Sequence, residues 1–333
     1  MRQIEIHCPH GDAFENVISA VKAAKPVDYW VLFPEQQDRR IVNVFLRDGS
    51  SQSLVDAVQQ CLEAETKWRI VVIPIEATVP PLEGADKDKK RDNEIALREE
   101  LLTDVARGAA LDLNFIAMVV LSTIVAAIGL NSDGVAAVIG AMVIAPLLGP
   151  ILGFAMGSAL GRRSLLATSA KTLAAGVTIA LGISLIISFI LPINLESREL
   201  MSRAEVRLDG VALALAAGGA AALSLTLGRG TVLVGVMVAA ALLPPGAAVG
   251  LFAGSAEWVF AGRAAMLLAL NVACLILAAL IVFRLQRVRP RTWIEQKNAA
   301  LSTRINLIIT ALVLVAIIAL VIVLDLGSVI APV

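Results

Sequence analysis

Two apolar stretches of this sequence carry prolines and glycines where a membrane helix needs an unbroken run of backbone hydrogen bonds: GAMVIAPLLGPILGFAMG at 140–157 and GVMVAAALLPPGAAVGLFAG at 235–254. Proline has no N–H, and its ring meets the carbonyl four residues earlier. Pro146, Pro150, Pro244 and Pro245 are therefore expected to kink or unwind their helices. Unwound carbonyls suit a cation, and the free N–H groups that open a half-helix suit an anion. The candidate substrate-binding positions are Gly140, Ala145, Pro146, Gly149 and Pro150 in the first stretch, with Gly235, Pro244, Pro245 and Gly246 in the second. Ser122, Thr123, Lys171 and Asn271, polar residues inside neighbouring apolar segments, complete the set. Each has a plainer alternative: snorkelling to the interface for Lys171, a hydrogen bond between helices for the others.

The elements that must position these residues are apolar segments long enough to span a bilayer, at 113–130, 135–158, 164–191, 210–228, 231–253, 259–283 and 305–325. The two proline-bearing stretches resemble one another. Gly140, Met142, Val143 and Ala145 match Gly235, Met237, Val238 and Ala240 at a separation of 95, and Gly149, Gly153, Gly157 and Ser158 match Gly246, Gly250, Gly254 and Ser255 at 97. Each is the middle member of a set of three, and three is odd. The second set (210–283) therefore enters from the side opposite to the first (113–191), which predicts a 3+3 inverted repeat with broken helices and an extra seventh span. Glycines four apart also make a flat ridge, for which plain close packing is the simpler explanation.

The chain has 333 residues, 58% hydrophobic and 17% charged, more apolar and less charged than a soluble globular protein. Its zero net charge hides an uneven distribution. Residues 1–108 hold 19 of the 28 acids and 14 of the 28 bases, a local −5, leaving 9 acids and 14 bases, a local +5, for the remainder. Residues 1–78 alternate strand and helix patterns in the order βαββαβ, that of an α+β ferredoxin-like domain open to a ligand-sensing role. His7, Cys8, His10 and Asp12 invite a metal site, but neighbours on a strand point to opposite faces, so a strand-end turn is favoured and no metal is assigned. Residues 79–112 form a charged linker and an amphipathic helix expected to lie along the membrane surface, with coupling of the two domains as the sharper alternative. Cys8, Cys61 and Cys274 read as free thiols.

The run AMVVLSTIVAAIGLNSDGVAAVIGAMVIAPLLGPILGFAMG at 117–157 closely resembles the signature of the "uncharacterised hydrophobic domain" membrane proteins, domain of unknown function 389, over roughly residues 95–285. The resemblance implies a membrane protein and carries over no substrate or catalytic residue. Absence of a nucleotide-binding loop, zinc motif or nucleophile elbow argues against a pump or hydrolase, so neither enzymatic activity nor a cofactor is expected. The expected function is a secondary transporter or uniporter of a small, preferentially anionic solute, gated by the amino-terminal domain. An ion or solute channel and a membrane-anchored sensor or scaffold are the alternatives. Expected partners are the lipid bilayer, an unidentified solute or ion, a small ligand of residues 1–78 and further copies of the chain, with no nucleic acid. Loop bases at 284–304, with Arg162, Arg163 and Arg229, place the amino terminus inside and the carboxyl terminus outside the inner membrane of a prokaryote.

Overall fold

The computed structural model describes residues 2–34, 39–46, 48–63, 65, 67–75, 98–228, 232–286 and 288, with isolated positions at 308, 312, 315 and 319. The seventh apolar segment, 305–325, and the basic loop at 284–304 thus fall largely outside the described residues, as does most of the linker. The chain divides into two compact units, Met1–Arg98 and Glu99–Val333.

The first unit comprises β1 (Arg2–Pro9), α1 (Asp12–Ala23), β2 (Asp28–Leu32), β3 (Arg39–Leu46), α2 (Asp48–Cys61) and β4 (Arg69–Pro74). All pairings are antiparallel, in the order β2-β3-β1-β4, which places β1 centrally as a split βαβ unit requires. Strict alternation along β1 sends Ile4, Ile6 and Cys8 to one face. There they join Val42, Val44 and Leu46 beneath Val17 and Val21 of α1 and Leu54 and Val58 of α2. His7 points the other way and bonds Glu5, so His7 and Cys8 diverge. Arg40 stacks over the Phe33 ring at 5.0 Å.

The second unit is helical: α3 (Arg98–Gly108), α4 (Leu113–Asn131), α5 (Val135–Ile144), α6 (Leu148–Leu160), α7 (Arg163–Ile190), the single turn α8 (Arg198–Met201), α9 (Leu208–Thr226), α10 (Val232–Gly254) and α11 (Trp258–Leu285). Among the described residues five helices are long and apolar enough to cross a membrane, and the pair α5–α6, bent by 49°, makes six when counted as one broken span. Within the first three spans α4 packs on α5 and α7, and α6 on α7; within the next three α11 packs on α9 and α10. Between the sets, α7 lies against α10, and α11 against α6.

A clasp closes the end of the bundle where α4 turns into α5. The Asn131 carboxamide donates to the Pro192 carbonyl and accepts from the Asn194 N–H at 2.7 Å. Asp133, held at φ 56°, accepts from the Glu199 N–H at 2.8 Å, while the Ser197 hydroxyl donates to the Leu130 carbonyl. The connector between α7 and α9 is thereby knitted to the α4–α5 turn.

Cys8 is fully buried, and burial pushes its thiol up to about 11, against the opposing pull of Arg40. Cys61 is only half-buried. At pH 8 a maleimide should label Cys61 of the folded chain and spare Cys8, read by mass spectrometry of the peptides. Equal labelling would place Cys8 outside the core.

Candidate functional site

The prolines act differently in the two middle spans. Pro146 biases the residue before it away from the helical region, and Ala145 is extended at φ −67°, ψ 121°. That ends α5. Pro150 then falls in the first turn of α6, where an N–H has no intrahelical partner to lose. One proline thus stops a helix and the next is tolerated in the first turn of another, leaving the break at 145–147.

Pro244 and Pro245 do not break their span. Residues 232–254 are helical throughout, which corrects the expectation of two broken helices. The compensation is visible. Pro245 deprives the Ala241 carbonyl of its donor four residues on, and the Asn271 carboxamide of α11 supplies one at 2.8 Å. Asn271 is thereby committed to the backbone of α10.

Around the break, Leu147 is buried against Gly176 of α7 and Phe115 of α4, and Leu148 reaches Gly235 of α10 at 3.6 Å from where a Cβ would stand. The first turn of α6 has no side-chain cap. Gly149 faces the Gly108 carbonyl at the end of α3 so closely that any Cβ would collide with it. Ala109 fits beside Gly153, and the Thr172 hydroxyl donates to the Ala109 carbonyl at 2.8 Å. Ser169, fully buried between Gly153 and Ala109, has no hydrogen-bond partner among the described residues. The amphipathic helix is packed by its apolar side. Leu101, Leu102 and Val105 are buried, and its end is seated beside the break.

The candidate residues form two groups. Ala145, Pro146, Gly149, Pro150 and Gly235 gather at the break, whereas Pro244, Pro245, Gly246 and Asn271 belong to the α10–α11 contact. Gly140 has open space where its Cβ would be. Ser122 and Thr123 are buried and both donate to the Val119 carbonyl of their own helix, at 3.1 and 2.7 Å. Lys171 stands exposed on α7. The 28 residues of α7 exceed the about 20 that a bilayer core requires. A span centred toward Ile190 would leave Lys171 at its edge, where an ammonium is solvated.

The glycines four apart have close neighbours. Gly153 and Gly157 meet Ser169 and Leu166 on the first half of α7, while Gly250 and Gly254 meet Ser184 and Ser188 on its second half. Sequence inspection overlooked the Gly108–Ala109 seat; its one local signal is a glycine at the end of an amphipathic helix.

Fold and site define a polytopic α-helical membrane protein with one interrupted span, preceded by a small unit built on an antiparallel sheet. The family model described as Domain of unknown function (DUF389) matches residues 142–277. An uncharacterized protein of Methanocaldococcus jannaschii is 32% identical over 272 residues, covering 82% of this chain and 84% of that relative. The chain belongs to this DUF389 family. No solved structure matches it.

Asn271→Ala should cost about 1 kcal/mol of stability by leaving the Ala241 carbonyl unpaired. Pro245→Ala restores an N–H to that carbonyl, so the Asn271→Ala cost should shrink in its background. Thermal unfolding in detergent of the two single variants and the double variant checks this. Simple addition of the two costs would mean that Asn271 does not compensate for the proline.

Proposed function

We propose that this protein is a secondary transporter or uniporter of a small solute, preferentially an anion, bound at the break between α5 and α6. The observation that carries the proposal is the uncapped opening turn of α6, set inside an apolar bundle beside a proline-induced interruption. Backbone broken at membrane depth is tolerated where it is buried or lines a cavity, and a half-helix amino terminus attracts negative charge.

An inverted 3+3 repeat is part of the proposal. In its favour, the third helix of each set packs against the middle span of the other, α7 on α10 and α11 on α6. Such an exchange is what a pseudo-two-fold axis in the membrane plane demands. We place the amino terminus inside and the carboxyl terminus outside, in a prokaryotic inner membrane, because the connecting loops on the inner side are the more basic. The amino-terminal unit is assigned a gating role, and self-association is part of the assembly proposed.

Purified protein in liposomes, offered a panel of labelled inorganic and carboxylate anions beside neutral sugars and amino acids, tests this. Saturable uptake of one class is expected, falling at least tenfold in Pro146→Ala, in which the α5–α6 interruption loses its cause. Folded protein without flux of any solute would sink the proposal, as would Pro146→Ala with unaltered flux.

A further inference from the structure

We infer that the carboxyl end of α3, Gly108–Ala109, is a withdrawable latch on the break, whose release uncovers the opening turn of α6. As regulation of a solute site, the latch rests on the transport function proposed above. The boundary between the two units falls at Arg98, where α3 begins. The far end of that helix is seated on two elements at once. Gly108 lies against Gly149, the second residue of α6, with its carbonyl oxygen directed at the Gly149 Cα. Ala109 fills the notch at Gly153, and its carbonyl accepts the Thr172 hydroxyl of α7.

The chemistry of the contact suits release. The Gly108–Gly149 contact is backbone against backbone, so no large side chain interlocks there, and the Thr172 hydroxyl supplies a hydrogen bond that water can replace. The seat also leaves the Ser169 hydroxyl buried without a partner among the described residues, a penalty relieved once α3 departs and solvent enters. Gly108 carries the partially negative end of α3 to the partially positive opening of α6. The latch thus presents to α6 the same sign of charge that an anionic solute would, and its withdrawal frees that position.

Hydrogen exchange of the full-length protein in nanodiscs tests the latch through matched substitutions in one span. Gly149→Ala drives a methyl group into the Gly108 carbonyl, whereas Gly140→Ala enters open space. Gly149→Ala should raise exchange across residues 99–112 and 145–153 together by tenfold or more, and Gly140→Ala should leave both at the wild-type rate. Thr172→Val, which removes one hydrogen bond without changing shape, should raise both by roughly three- to tenfold and serves if Gly149→Ala does not fold. Unchanged exchange in Thr172→Val, equal effects of the two glycine variants, or faster exchange of 99–112 with 145–153 unmoved would each overturn the latch. None of these readouts depends on solute flux, so a failed transport assay leaves the latch standing and a failed exchange assay leaves transport untouched.

Discussion

Every backbone N–H and C=O placed in a bilayer must find a partner within the protein, and the second unit is organised around the points where proline prevents this. At Pro245 the debt falls on one carbonyl, and Asn271 of the adjacent helix meets it, so α10 stays continuous. Just before Pro146 the helix stops, and a new one begins after an interruption of three residues, 145–147. The same residue type thus yields a helix kept continuous beside a neighbour and a helix interrupted by its own sequence. Spacing makes the difference. Adjacent prolines remove the donors to two successive carbonyls within one turn, whereas prolines four apart let one terminate and the other sit in the first turn of its successor.

Packing around these points depends on residues that bring little side chain. Gly149, Gly153, Gly157, Gly250 and Gly254 each admit backbone or a serine where a Cβ would collide. Gly218 does the same for α9, whose Cβ position lies 2.6 Å from the Leu275 carbonyl oxygen of α11. Close approach gains dispersion and weak Cα–H···O contacts, which matter where lipid offers no hydrophobic drive for helices to associate. Polar groups are mostly absorbed locally: Ser122, Thr123, Ser184 and Ser188 donate to carbonyls of their own helices.

Much of this was legible in the sequence. Alternation along RQIEIHC sends Cys8 inward and His7 outward because a strand repeats every two residues. Apolar length marked the five helices that can span and the bent pair, to within a few residues. Local rules failed where a partner distant in sequence decided the outcome. The carbonyl freed by Pro245 is met by Asn271, a residue 26 positions beyond Pro245 that no propensity connects to it. The seating of Gly108 on Gly149 likewise joins positions 41 apart, and each glycine alone carries only the meaning of a helix end or a ridge. Lys171 looked internal because apolar residues flank it, yet α7 is longer than the bilayer is thick.

The contact between α10 and α7 has a further property. Gly246, Gly250 and Gly254 stand opposite Ala180, Ser184 and Ser188, rung to rung at intervals of four. On α7 this ladder continues one step further to Gly176, a small buried residue covered by Phe115 and by Leu147 from the break. Translation of α10 along α7 by one helical turn, about 5.4 Å, sets small residue against small residue again, with Gly246 arriving where Leu147 now lies. In that second register the place opposite Gly176 would be taken by α10 in place of Leu147, so the interrupted span is what holds the ladder in its present alignment.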